Sequence, residues 1–214
     1  MDTYGLVHAS AGDADRIAAM LARAFQDDAL MRYAVPDARQ LSRLLPWLIG
    51  LNVRYGCRYG EVWATPDYQG AAVWLPSGQA TLTPGRMLRA GMFAAPLRVR
   101  WSILRRLAAA GAYATALHEH YAPQPHWYLS QLGVEPARQH QGIGSRLLQP
   151  MLARMDADRL PCYLETWHEA NLAFYQRHEF AVVAEGAVPG GGPRTWAMLR
   201  AVRFDRSVSL RREL

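Results

Sequence analysis

Apolar positions along the chain alternate between strand-like and helix-like spacing, and that alternation predicts an α/β protein. Leu6 to Ala9 reads as a short strand, and Ser10-x-x-Asp13 resembles a capping box opening a helix with Ile17, Met20, Leu21, Ala24 and Phe25 on one face. A second helix carries Leu41, Leu44, Leu45, Leu48 and Ile49 at the same spacing, with a bend expected at Pro46. Strands over Glu61–Thr65 and Ala71–Leu75 flank the turn segment Pro66-Asp67-Tyr68-Gln69-Gly70 and predict a hairpin. The segment from about 85 to 122 is rich in Ala and Arg, and Pro96 divides it into two helical stretches. The second of these places Trp101, Leu104 and Ala108 on one stripe facing a core, with Arg105 and Arg106 directed elsewhere. A strand follows over Trp127–Val134, then a glycine turn and a helix to about Asp158. Cys162–Trp167 reads as a strand, Asn171–His178 as a helix, and two late strands surround Ala181–Glu185 and Thr195–Arg200. No internal repeat is visible.

Composition narrows the class. With 214 residues, 50% apolar and 20% charged, the chain reads as one globular domain over residues 1–214. The net charge of +6 suits nucleic acid, a membrane surface or a cofactor with several phosphates. Its arginines are scattered rather than run together, which argues against nucleic acid; the Arg-rich insert is read as a solvated face, with a basic docking surface as the alternative. Two cysteines, Cys57 and Cys162, stand far apart without a C-x-x-C and are expected as core thiols, not a disulfide framework. The N-terminus lacks an apolar leader pattern and no window approaches a membrane span, so a cytoplasmic protein without membrane contact is expected. His118-x-His120 is a poor metal pair, because positions two apart on a helix do not face together, and no metal is expected.

The chemistry concentrates at Gln139-His140-Gln141-Gly142-Ile143-Gly144-Ser145, where a strand hands over to a helix. The first turn of a helix offers unpaired N–H groups and the positive end of the macrodipole, and glycines let an anion approach the backbone. A plain strand-to-helix turn is the alternative. A nucleoside-triphosphate P-loop is excluded because no Lys follows Gly144, and a dinucleotide fingerprint fits poorly because Leu147 stands where its last glycine belongs.

Taken together, the strand Leu129-Ser130-Gln131-Leu132-Gly133-Val134, the Q-x-x-G-x-G loop and Asn171-Leu172-Ala173-Phe174-Tyr175 resemble the GNAT superfamily of acyl-CoA-dependent N-acetyltransferases. The runs LGVEPARQHQGIGSRLLQP, YLETW, NLAFYQRHEF and GPRTWAM are similar to its puromycin N-acetyltransferase-like branch. The resemblance implies a mixed, mostly antiparallel central sheet with strands four and five splayed and helices on both faces. It implies acetyl-CoA as co-substrate between those strands, its pyrophosphate on the backbone N–H groups of His140, Gln141, Gly142, Ile143, Gly144 and Ser145, with Gln139 where Arg is usual. The remaining implied cofactor contacts are Leu132, Gly133, Val134, Asn171 and Tyr175. A backbone N–H near Leu132 would meet the thioester carbonyl. Tyr175 would protonate the departing thiolate, the alternative being an aromatic packed on a helix face. Glu165 is the first candidate base for the acceptor amine, the alternative being a structural Glu.

Two departures stand out: Glu179 occupies the position of a glycine before Phe180, and Trp167 and His168 replace smaller residues after strand five. Trp63, Trp74 and Tyr33 are read either as acceptor-pocket lining or as core. The expected activity is acetyl transfer to a primary amine of a small, antibiotic-like or nucleoside-like molecule, with a homodimer left open. The competing reading is a noncatalytic acyl-CoA-binding or regulatory module that contacts nucleic acid through its insert.

Overall fold

A computed structural model of the chain describes residues 3–80, 83–89 and 98–202. Its strands are β1 (Val7–His8), β2 (Glu61–Ala64), β3 (Gly70–Pro76), β4 (Trp127–Val134), β5 (Cys162–Thr166), β6 (Ala181–Ala187) and β7 (Arg194–Arg200). They form one sheet in the order β1-β2-β3-β4-β5-β7-β6, antiparallel throughout except for the parallel pair β4 and β5. The helices are α1 (Ala14–Ala24), α2 (Ala29–Ala34), α3 (Ala38–Tyr59), α4 (Pro84–Arg89), α5 (Trp101–Tyr121), α6 (Ile143–Asp158) and α7 (Leu172–Arg177). This is the mixed, mostly antiparallel sheet with helices on both faces that the resemblance implied.

Local chemistry accounts for the elements. The Ser10 N–H donates to Asp13 Oδ2 at 2.8 Å and the Gly12 N–H to Ser10 Oγ at 3.2 Å, so the capping box forms and starts the chain into α1. Ile17, Met20 and Leu21 of α1 meet Leu41, Leu45 and Ile49 of α3 in one core. Helix α3 runs unbroken through Pro46. The β2–β3 turn closes where Thr65 Oγ1 accepts from the N–H groups of Gln69 (2.8 Å) and Gly70 (3.2 Å).

The expected stripe on α5 is corrected. Trp101 is 77% exposed and Ala108 also faces solvent; Ile103 and Ala110 are buried, with Leu104 and Leu107 packed on the α1–α3 core. Further along, Leu117 and Tyr121 lie against residues of β5, β6 and β7. One helix must serve two surfaces, and the stripe common to both is displaced from the one drawn through Trp101. Pro96 lies outside the described residues.

Strand β4 positions the site. Trp74 of β3 pairs with Leu129 but Val73 pairs with Gln131, so Ser130 is an extra, bulged residue. Before the bulge, Trp127 and Leu129 face the core under α6; after it, Leu132 and Val134 do. Gln131 and Gly133 therefore turn to the α1 and α3 side, where their partners Val73 and Ala71 lie. A Cβ on Gly133 would stand 2.5 Å from Leu21 Cδ2, so glycine there is what lets α1 close on β4. Strand β5 pairs with β4 only at Trp127↔Cys162 and Tyr128↔Tyr163. Beyond that row the two strands part.

Glu179 does occupy a left-handed position, at φ 68°. Its carboxylate accepts from Arg200 Nη2 at 3.0 Å, and buried Arg200 also forks onto Asp156 at 2.7 and 2.8 Å. An ion pair to a buried guanidinium thus offsets a backbone conformation that costs a non-glycine residue about 1 kcal/mol.

Candidate active site

The QHQGIGS loop joins β4 to α6. His140 and Gly142 have φ 59° and 79°, and the first bond of the following helix is Arg146 N–H to Gly142 O. Among the described residues, no N–H from His140 through Ser145 donates to a backbone carbonyl, and His140, Gln141 and Gly142 are exposed. Succeeding donors with a left-handed residue between them form a concave anion cradle at the positive end of a sixteen-residue helix. Its two glycines answer different needs. A Cβ on Gly142 would meet open space, so that position is glycine for its φ; a Cβ on Gly144 would sit 3.2 Å from the Phe174 ring, so that one is glycine for close approach of α7. Gln139 Nε2 donates to Val134 O at 3.2 Å, tying the loop to the strand end, and Ser145 Oγ contacts His178 Nε2 at 2.9 Å. This donor set suits a pyrophosphate.

On the α5 side of the fork lies Glu165, with Tyr128 Oη donating to its Oε2 at 2.8 Å. Burial pushes the carboxyl up to about 7, against the opposing pull of the Tyr128 and Tyr163 hydroxyls. Ala197, its partner on β7, brings no charge. The His118 ring of α5 stacks on Tyr163 at 4.7 Å and 10°, and tilts toward Tyr128 at 4.9 Å. His126 Nδ1 is 2.6 Å from Gln124 O, so it carries the proton; His126 Nε2 then accepts from His118 Nε2–H. Burial, with His126 next to it, holds His118 down to about 4, so the His118 ring is uncharged at neutral pH.

Tyr175 lies across the sheet. It is buried with Cys162 and Leu164 under α6, edge-on to Phe174 at 5.1 Å and to Phe180 at 5.8 Å. Burial raises its phenol above the usual value, so it stays protonated at any ordinary pH. Glu165 and Tyr175 therefore approach the parting strands from opposite faces. Exposed Asn171 donates through Nδ2 to Thr166 Oγ1 at 3.1 Å and fixes the β5–α7 loop rather than the cradle. Leu132 and Val134 face α6 beyond the fork, with Gly133 between them on the other side.

Trp74 is fully buried and Trp63 half-buried against the same core beneath α6, the latter donating to Glu61 Oε2 at 3.1 Å; both are packing residues of β2 and β3. Tyr33 lies under the Arg106 guanidinium at 5.7 Å. His120 is exposed and packs on Tyr121, while His118 turns to His126, so the two do not converge. Among the described residues no three His, Cys, Asp or Glu side chains gather as metal ligands, and no helix is long and apolar enough to cross a membrane. A hollow lined by Gln149, Ala153, Asp156, His178, Glu179 and Arg200 includes neither Glu165, Tyr175 nor the cradle. The sequence marks Tyr128 only through the polar half of the alternation in W-Y-L-S, and it gives no such signal for Gln131, which the alternation sets with Trp127 and Leu129.

Residues 99–180 match the model of the acetyltransferase (GNAT) family. An uncharacterized N-acetyltransferase of Schizosaccharomyces pombe is 25% identical over 178 residues, spanning 79% of this chain and 71% of the relative. Among solved structures, a Corynebacterium glutamicum protein named histone acetyltransferase HPA2 and related acetyltransferase aligns with TM-score 0.64 and 20% identity, covering 94% of this chain and 97% of the other. The Drosophila melanogaster polyamine N-acetyltransferase, which forms N-acetylagmatine, aligns at TM-score 0.56 and 14% identity over 92% and 99% of the two chains.

Proposed function

With the GNAT acetyltransferase superfamily supported by both the family model and the relatives, we propose that this chain, as one domain, transfers an acetyl group from acetyl-CoA to a primary amine of a small molecule. The observation that carries the reading is the placement of three groups around one strand fork: the cradle of free N–H groups at His140–Ser145, half-buried Glu165 on one face and buried Tyr175 on the other. The cradle and the ends of β4, with Leu132, Gly133, Val134 and Gln139, hold the co-substrate, whose activated thioester supplies the acetyl group. A backbone N–H near Leu132 stabilises negative charge on the carbonyl oxygen.

A primary ammonium has a pKa near 10 and is no nucleophile until it loses a proton. Glu165 is suited to take it, because a carboxyl near 7 is largely ionised at slightly alkaline pH yet basic enough to hold the proton. The amine nitrogen then bonds to the carbonyl carbon, the carbon–sulfur bond breaks and Tyr175 gives its proton to the sulfur, while the nitrogen sheds its second proton, which restores the Tyr175 phenol. The sum is amide, free thiol and one proton released. A puromycin-like acceptor is the finer form of the proposal, suggested by the sequence runs around the cradle; the amine acceptor of the Drosophila protein supports the broader class.

A screen of thiol release from acetyl-CoA against polyamines, arylalkylamines, aminoglycosides and puromycin tests the reading. Turnover with a primary amine is the expected result. No release with any amine, together with salt-sensitive DNA binding, would replace it with the noncatalytic reading.

A further inference from the structure

Gln131 holds a polar atom that the fold leaves unused. Its Oε1 is buried and makes no hydrogen bond among the described residues. Buried side-chain acceptors are nearly always paired, since leaving one dry costs about 1–3 kcal/mol. A sequence that tolerates this in a strand at the centre of the sheet points to a partner that arrives later.

The register says where that partner stands. Tyr128↔Tyr163 is the last row joining β4 to β5. On the α5 side, the next residue along β5 is Glu165; the next along β4 is Gln131, because the bulge at Ser130 absorbs one position. The two side chains thus flank the fork from its two prongs, on one face. Glu165 has already engaged Oε2 with Tyr128. Resting on the acetyltransferase reading, we infer that Gln131 is a specificity-determining residue, its side-chain carbonyl and the Glu165 carboxylate together receiving the N–H groups of the acceptor's primary ammonium. After Glu165 has removed one proton, the bond to Gln131 holds the neutral amine so that its lone pair is directed into the gap between the strands.

The test is Gln131→Met, an unbranched replacement of similar length without the acceptor oxygen. In the free protein the melting temperature should hold or rise, because an unpaired buried polar group has been removed. With an amine found in the thiol-release screen, the KM for the amine should rise about 10- to 100-fold, matching the loss of one hydrogen bond to a charged donor, with the KM for acetyl-CoA unchanged. The preference for the primary amine over its N-methyl derivative should shrink, since the derivative has one N–H fewer to offer. A fall of several degrees in melting temperature would show that the oxygen serves the fold and overturn the inference. So would an amine KM within twofold of wild type. Failure of wild type to release thiol with any amine overturns the acetyltransferase reading instead, and the melting comparison still decides whether the fold needs this oxygen.

Discussion

Glu165→Gln separates a catalytic carboxylate from a structural one by making stability and activity move in opposite directions. The rise of the carboxyl from 4.5 to about 7 means the fold favours its protonated form. Between those two values the native state binds more proton than the unfolded chain, so wild-type stability falls as pH climbs through this window and stays reduced above it. At about 1.4 kcal/mol per pH unit the difference reaches about 3 kcal/mol above pH 7, as an upper bound. Gln keeps the shape and can still accept from Tyr128 Oη, but it has no charge to desolvate. The variant should therefore match wild type near pH 4 and exceed it at pH 8 by up to about 3 kcal/mol, or roughly 6–10 °C in melting temperature for a chain of this size. Over the same range its acetyl transfer should drop by about 10²–10⁴-fold, the usual worth of a general base. Raising the pH toward the amine's own pKa supplies free amine and should restore roughly tenfold per unit. Melting curves from pH 4 to 9 and initial rates from pH 6 to 10, on both proteins with one verified amine, measure all of this. A variant less stable than wild type at pH 8, with a rate profile parallel to it, would refute the assignment of Glu165 as base.

Other perturbations read the remaining parts of the site. Tyr128→Phe removes a hydrogen bond that favours the ionised carboxylate, so the acidic limb of the pH–rate profile should move to higher pH while the plateau changes little; an unmoved limb would detach Tyr128 from the chemistry. Tyr175→Phe should lower turnover by about 10²–10⁴-fold with the acetyl-CoA KM within about twofold, and an unchanged rate of the chemical step in single-turnover measurements would remove the hydroxyl from the acid role. Gly142→Glu points a carboxylate from an otherwise open position into the cradle and should abolish acetyl-CoA binding by calorimetry while the protein stays folded, with a strain of about 1 kcal/mol at φ 79°; equal affinity in both proteins would move the pyrophosphate elsewhere.

Much of this arrangement was legible in the chain itself, for reasons that are local. Ser10 and Asp13 cap a helix through bonds between neighbours in sequence, and the two glycines of the cradle declare a turn whatever surrounds it. Glu165 and Tyr175 follow from the family resemblance, which implies a tyrosine acid at the position of Tyr175 and sets Glu165 near the end of strand five beside the cleft. The stripe on α5 was misread because its orientation is set by two distant surfaces, the α1–α3 core at one end and β5–β7 at the other, and Trp101 loses to Ile103 only when both are in place. The left-handed Glu179 could be placed by its neighbours, but its compensation by Arg200 depends on a partner on another strand.

Gln131 shows why register matters more than alternation at this site. Continued from Trp127 and Leu129, the alternation assigns Gln131 to the face beneath α6, with Tyr175; the extra residue at Ser130 sends it to the opposite face, with Glu165. Serine is tolerated in ordinary strands, so nothing in the residue type announces the bulge. The same shift has a mechanistic consequence. Glu165 and Tyr175 lie on opposite faces of a sheet, and in a continuous sheet the backbone would stand between them. β4 and β5 stop pairing after Tyr128↔Tyr163, and the proposed reaction needs that gap for both residues to reach one carbonyl. In the proposed reaction a proton is taken on one face and another is given on the opposite face. A variant that restored pairing along the fork should therefore lose turnover with every catalytic side chain still present.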